Sequence, residues 1–145
     1  MKEEFKKYLE DVDIIGAIGE KVERIYDFYW EICPDEITGI FITDYIKEDG
    51  ERVYEHLWFF SEKYCMEAKQ FITTDDFDIT PIKNQIIYWV LKKQDYDFKK
   101  ATEKSRLYLK FKMGTMIDGE LKASKENCDY LRDIILEYIR TNLKE

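Results

Sequence analysis

One segment near the C-terminus, Ser124–Leu143, carries the strongest pattern of the sequence. Apolar residues recur in it at spacings of three and four, as on one face of an α-helix. This stripe consists of Cys128, Leu131, Ile135, Tyr138 and Ile139, widened by Ile134. Ser124 is a suitable N-cap, because its hydroxyl can accept a hydrogen bond from a backbone N–H of the first turn. The segment predicts a helix about 30 Å long that covers a sheet.

The chain before this helix divides at Pro34, where the spacing of apolar residues changes from that of helices to that of strands. Two helices are predicted before Pro34, at Lys2–Val12 and at about Glu20–Ile32, with Gly16 and Gly19 between them. The strands predicted after Pro34 are Thr38–Ile46, Arg52–Phe60, Tyr64–Ile72, Ile86–Lys93, Ser105–Met113 and Thr115–Ala123, with a candidate short edge strand at Phe77–Thr80. This order predicts a single α+β domain in which a long helix packs on an antiparallel meander.

The connections between strands carry turn signals of different strength. Asp49-Gly50 is a strong hairpin signal between the first two strands. Ile86–Lys93 is the most apolar strand, and we expect it to be central in its sheet. For the last hairpin the sequence allows two turn positions, Gly114 or Asp118-Gly119, and the second would lengthen the preceding strand.

Composition limits the compartment and the class of partner. Cys33, Cys65 and Cys128 are odd in number and far apart, which predicts free thiols in a reducing compartment. The charged N-terminus lacks the apolar core of a signal peptide, and no apolar run approaches the roughly 18 residues of a membrane span. We therefore expect a cytoplasmic protein without stable membrane association. The net charge of −8 argues against binding of double-stranded nucleic acid.

The charge is unevenly distributed along the chain. Residues 34–82 carry 4 basic and 12 acidic residues, whereas residues 83–112 carry 9 basic and 3 acidic ones. Alternation in the second segment places Arg106, Tyr108, Lys110 and Lys112 on one strand face. We predict that these residues form a candidate binding site together with Lys92. Further lysines that could join the site are Lys93, Lys99 and Lys100. Cations interleaved with an aromatic ring can bind an acidic peptide, a phosphate or a single-stranded nucleic acid. The alternative is a solvated face, or one neutralised by residues 34–82.

No motif for catalysis, a cofactor or a metal stands out. His56 is the only histidine and lies within a predicted strand, so we expect it to have a packing or surface role. The acidic run Asp75–Asp78 lacks the glycine turn and the later glutamate of a calcium-binding loop. We therefore expect no catalytic residue, no cofactor and no metal site, and predict that the protein is not an enzyme.

From Thr38 onward, over about 105 residues, the chain resembles a pleckstrin-homology-like domain. The resemblance rests on the number and spacing of the strands and on the ending LYLKFKMGTMIDGELKASKENCDYLRDIILEYI. It implies that residues 37–145 form a split β-barrel capped by the C-terminal helix, that residues 1–33 are a helical extension, and that the domain binds a protein or peptide. Members that bind phosphoinositides carry several Lys and Arg in the first hairpin, whereas here residues 44–52 are mainly acidic, so the resemblance does not imply lipid binding at that site.

The same order of elements also resembles the helix-grip fold of START and Bet v 1-like carriers. That resemblance implies an apolar small molecule held between the sheet and the C-terminal helix, and the aromatic content of 16% would suit either such a cavity or a filled core. Helix-grip proteins usually begin with a strand, whereas Lys2–Val12 has the pattern of a helix. The two N-terminal helices are rich in aromatic residues that must be covered, which makes them a candidate homodimer surface.

Overall fold

The structure is a computed structural model that describes residues 1–78, 80–83, 85–113 and 117–141. The helices of this part of the chain are α1 (Glu3–Asp11), α2 (Gly16–Ile32) and α3 (Asn127–Ile134), and α3 continues as a π-helical segment, Ile135–Ile139. Its strands are β1 (Ile37–Ile46), β2 (Arg52–Ser61), β3 (Tyr64–Ala68), β4 (Ile82–Lys83), β5 (Ile86–Gln94), β6 (Arg106–Met113) and β7 (Ile117–Ser124). None of these helices is long and apolar enough to cross a membrane.

The described strands form two antiparallel sheets, one of four strands in the order β1-β2-β3-β4 and one of three in the order β5-β6-β7. This confirms the predicted α+β class and the antiparallel meander. The described strands do not join into one closed barrel, and the pleckstrin-like arrangement of strands and helix remains a prediction.

Contacts divide the chain into two compact units. Unit 1 comprises Met1–Ile42 and Glu55–Ile82, and unit 2 comprises Thr43–Tyr54 and Lys83–Glu145. Unit 1 carries 7 basic and 17 acidic residues, whereas unit 2 carries 16 basic and 14 acidic ones. The net negative charge of the protein therefore belongs to unit 1. The predicted single domain, with residues 1–33 as an extension, is not tested by this division.

Aromatic side chains fill the core of unit 1. The rings of Tyr26 and Tyr29, from α2, both contact Phe59 of β2 edge to face. The Tyr29 hydroxyl donates to the backbone oxygens of Glu67 (3.1 Å) and Asp78 (3.0 Å), so its polar end is satisfied in the core. Phe28 and Trp30 of α2 stay 64% and 48% exposed. The homodimer surface predicted on these helices remains a prediction.

The second helix begins earlier than its sequence pattern indicated, at Gly16 instead of about Glu20. The sequence places Gly19 in a break between the helices, but it lies in the first turn of α2. A Cβ atom on Gly19 would lie 3.2 Å from the backbone oxygen of Ile14. The glycine therefore permits a close approach of two backbone segments, which a local pattern does not distinguish from a turn.

The third strand is shorter than predicted, and the candidate edge strand lies elsewhere. β3 ends at Ala68 because the chain turns at Gln70, which has a φ of 50° and whose carbonyl accepts from the N–H groups of Thr73 and Thr74. The described residues of the candidate edge strand Phe77–Thr80 are not in a strand, residue 79 lies outside the described residues, and the edge strand of the sheet is β4, at Ile82–Lys83. The apolar residues after Ala68 belong to this turn and not to a longer β3.

In unit 2, β6 is the central strand and β5 lies at an edge, so the prediction that Ile86–Lys93 is central was wrong. The alternation predicted for β6 is confirmed, because Leu107, Leu109, Phe111 and Met113 are all buried. β5 is apolar on both faces, and its outer residues Tyr88 and Val90 are 47% and 46% exposed. Its hydrophobicity therefore does not reflect burial on two sides.

The last hairpin turns after Met113 and not at Asp118-Gly119. Gly119 lies within β7, directly opposite Phe111 of β6, and a Cβ atom on it would overlap the Phe111 ring. The glycine accommodates that ring, so the Asp-Gly pair is not a turn signal here. The connection itself covers residues 114–116, which lie outside the described residues.

α3 packs on β6 and β7 and buries the predicted stripe. Leu131 is 0% and Ile135 4% exposed. The helix begins at Asn127 and not after an N-cap at Ser124, because Ser124 is the last residue of β7 and Lys125 adopts a φ of 53° before the helix. The Ser124 hydroxyl donates to the carboxylate of Asp44 instead. The predicted end at Leu143 lies outside the described residues.

Candidate functional site

A surface pocket of about 290 Å³ lies in unit 2, where β5 ends, β6 begins and β7 ends. Three of the five predicted site residues line it, namely Lys92, Arg106 and Tyr108. The other residues around it are Asp44, Tyr45, Lys93, Gln94, Leu107, Lys122 and Ala123. We call this site the basic pocket.

The strand register explains why these side chains meet. Lys92 of β5, Tyr108 of β6 and Lys122 of β7 are direct cross-strand partners and form one row. Gln94 and Arg106 form the next row towards the strand ends. Because partners in an antiparallel sheet lie on the same face, residues far apart in sequence converge there. Lys122 was not predicted as a site residue, because only the register places it beside Tyr108.

The two other predicted residues, Lys110 and Lys112, lie further along the same face of β6 and do not line the pocket. Their cross-strand partners on β7 are Glu120 and Asp118. Opposite charges on directly opposed positions are favourable. The row predicted from the sequence is therefore divided: one half borders the pocket, and the other faces acidic residues of β7 and not of residues 34–82.

Three cations of the basic pocket have no acidic partner among the residues that the structure describes. In the part of the chain that the structure describes, no carboxylate lies at ion-pairing distance from Lys92, Lys93 or Arg106. Nη1 of Arg106 donates to the backbone oxygens of Glu103 (3.0 Å) and Ser105 (2.7 Å), which orient the guanidinium without cancelling its charge. The pocket thus presents positive charge that remains available to a ligand.

Two tyrosines border these cations. The Lys122 ammonium lies 5.6 Å from the centre of the Tyr45 ring, within the range of a cation–π contact. The Tyr108 hydroxyl donates to Oε1 of Glu120 at 2.9 Å, which holds the ring in place. Burial, together with the hydrogen bond and charge of Glu120, raises the pKa of Tyr108, so the phenol stays neutral at physiological pH.

The acidic member of the pocket, Asp44, is fully buried and satisfied by its neighbours. Its carboxylate accepts from Nε of Arg52 (2.9 Å), the Ser124 N–H (3.0 Å), the Asn127 amide (2.8 Å) and the Ser124 hydroxyl. Arg52 and these dipoles compensate its charge, so it does not offset the pocket lysines. The sequence signal for this residue is that Asp44 is the single charged residue of β1.

The remaining residues considered in the sequence have structural partners. Nδ1 of His56 accepts from the Gln70 N–H at 3.0 Å, beside the turn that ends β3. In the acidic run, Asp75 pairs with Lys21 at 3.1 Å, and Lys21 also donates to the Thr74 carbonyl. The described residues include no group of three or more His, Cys, Asp or Glu arranged to hold a metal.

Cys33 is expected to react with a thiol reagent before Cys65 and Cys128. All three cysteines are free; Cys65 and Cys128 are buried, whereas Cys33 is partly exposed. Burial raises the pKa of both buried thiols to about 12, which leaves little reactive thiolate at pH 8. Titration of the native protein should show one fast thiol, and titration of denatured, unreduced protein should show three. A lower total would reveal a disulfide and contradict the reducing compartment.

Comparison with known proteins gives no relative: no family model, no curated protein and no solved structure matches this chain. The geometry and charge of the basic pocket are therefore what indicates a function.

Proposed function

We propose that this protein is a cytosolic, non-enzymatic binding module of pleckstrin-like fold that binds an anionic group in the basic pocket. The supporting observation is the convergence of Lys92, Lys93, Arg106 and Lys122 around one pocket, three of them without an acidic partner among the described residues. Phosphates and carboxylates form their strongest hydrogen bonds with such cations.

The charge distribution supports an anionic ligand. Like charges that share a pocket repel, so cations that have no acidic partner gain from an anion that binds between them. Unit 2, which contains the pocket, carries 16 basic and 14 acidic residues, so the acidity of the whole chain does not describe the region around the site. The flanking tyrosines and the apolar contacts of Leu107 and Ala123 suit a ligand with an uncharged part as well.

The element order supports the pleckstrin-like reading. A hairpin of two terminal strands, β6 and β7, leads through a short link to a helix that packs on them. The alternative, a helix-grip carrier, requires an apolar cavity beneath α3. The basic pocket and a second pocket of about 420 Å³ between α1 and the start of α2 are not lined by any residue of α3, so neither of these two pockets is that cavity. The carrier function remains the alternative.

The double variant Lys92→Glu/Lys93→Glu is expected to bind anions at least about tenfold more weakly than the wild type, equivalent to about 1.4 kcal/mol. Both lysines are exposed and have no ion pair in the described residues, so stability should change little. Isothermal titration at low salt with inorganic tripolyphosphate and with a glutamate-rich peptide measures this effect.

The matched control is Lys99→Glu/Lys100→Glu, which makes the same charge change on exposed lysines of unit 2 outside the pocket. It should lower the affinity by no more than about threefold, through the altered net charge alone. An equal loss in both variants would show non-specific attraction. Absence of binding by the wild type to either probe would overturn the proposed function.

A further inference from the structure

We infer that the anionic ligand is a single-stranded nucleic acid, with a backbone phosphate in the basic pocket and bases on tyrosines along the outer face of β5 and β6. This inference rests on the proposed function and names the ligand class of the same site. It depends on residues outside the pocket, which allows the two proposals to fail separately.

The outer face of β5 and β6 presents aromatic and cationic side chains side by side. Tyr88 of β5 is 47% exposed and is paired in register with Lys112 of β6. Two residues on, Val90 is 46% exposed and is paired with Lys110. The row after that is Lys92 with Tyr108, at the edge of the basic pocket. Such interleaving provides stacking surfaces for bases and cations for phosphates on one face.

The dimensions suit an extended strand. Tyr88 precedes Lys92 by four residues on β5, which corresponds to about 13 Å along the strand. Tyr45, 37% exposed, is a second ring at the pocket itself, beside Lys122. A short oligonucleotide with a phosphate in the pocket can therefore reach one exposed ring at the pocket and another about 13 Å away along β5. An isolated phosphate has no base that could stack on these exposed rings, whereas an oligonucleotide does.

The distribution of acidic residues defines the path. Among the described residues of this face, the acids are Asp118 and Glu120 of β7, and Glu120 accepts the Tyr108 hydroxyl. A strand that follows β5 and β6 towards the pocket keeps the lysines beside it and leaves β7 to one side. Base stacking on Tyr88 requires unpaired bases, so the geometry favours single strands over duplex.

The test measures fluorescence anisotropy with labelled twelve-nucleotide oligo-dT and oligo-U at several salt concentrations, with tripolyphosphate titrated in parallel. Tyr88→Ala is expected to weaken oligonucleotide binding at least about fivefold, the lower end of the effect of losing one stacked base. It should leave tripolyphosphate binding unchanged, because Tyr88 does not line the pocket. Tyr88→Phe keeps the ring and should bind like the wild type.

Phe28→Ala is the matched control, because Phe28 is an aromatic residue 64% exposed on α2 in unit 1. It should not affect oligonucleotide binding. Binding of either oligonucleotide that Tyr88→Ala weakens and Phe28→Ala does not would support the inference; a difference between oligo-U and oligo-dT would reflect the 2′-hydroxyl and the thymine methyl group together. A duplex of the same length should bind more weakly.

Three results would overturn the inference. One is oligonucleotide affinity of Tyr88→Ala equal to that of the wild type, and another is equal or tighter binding of the duplex. The third is binding of tripolyphosphate or acidic peptide by a wild type that binds no oligonucleotide. In the last case the proposed function is still tested separately, by whether Lys92→Glu/Lys93→Glu weakens the binding of tripolyphosphate.

Discussion

Replacement of Asp44 by alanine is expected to lower the free energy of unfolding by about 3–5 kcal/mol, the range for breaking a buried ion pair by removing one partner. The carboxylate is 0% exposed and connects the end of β1 to Arg52 on β2 and to Ser124 and Asn127 at the junction of β7 and α3. All of these residues belong to unit 2. Its removal leaves several buried donors without their acceptor.

The burial and the pKa of Arg52 show that its charge is stabilised by this network. Its guanidinium side chain is only 13% exposed and bonds Asp44 through Nε and Glu126 through Nη1 (2.6 Å). Burial alone would lower the pKa of Arg52, but the charge of Asp44 and the hydrogen bonds with Glu126 and Asp44 raise it overall. Without Asp44, this charge keeps only the half-exposed Glu126 as an acidic partner in the network.

Urea denaturation followed by circular dichroism measures the effect of Asp44→Ala. The matched control is Glu51→Ala, which removes an exposed ion pair with Lys47 (3.2 Å) in the same hairpin. Exposed pairs contribute about 0–1 kcal/mol, so the control should lie in that range. A loss below about 1 kcal/mol for Asp44→Ala, or similar losses for both variants, would contradict the structural role of Asp44.

The second large effect is expected in α3. Leu131→Ala and Ile135→Ala should each cost about 2–5 kcal/mol, because each removes apolar volume from a packed core and leaves a cavity. Leu131 is 0% and Ile135 4% exposed, and the helix packs on the inner face of β6 and β7.

Chemical denaturation of these variants is compared with Leu136→Ala, which removes the same kind of side chain from the same helix at a position 40% exposed. We expect that control to lose about 0.5 kcal/mol or less. If Leu131→Ala and Ile135→Ala also lost no more than this, the helix would not be the cover of the sheet.

The sequence by itself determined the features that depend on neighbours along the chain. The alternation of β6 and the apolar stripe of α3 were correctly predicted, because side-chain direction repeats with period 2 in strands and 3.6 in helices. Lys92, Arg106 and Tyr108 were also found in this way, since two of them alternate on one strand. Local patterns failed where a glycine makes room for another residue and does not mark a turn: Gly119 accommodates the Phe111 ring, and Gly19 approaches the carbonyl of Ile14.

Only the tertiary structure decided which strands are neighbours. It placed β5 at a sheet edge, added Lys122 and Tyr45 to the basic pocket, and separated Lys110 from that pocket. It also gave Ser124, expected to cap a helix, a partner 80 residues away in Asp44. Each of these results depends on pairing between segments that are remote in sequence. The free energy of such pairing comes from packing, hydrogen bonds and charge interactions between the two segments, and the local periodicity of either segment carries no information about it.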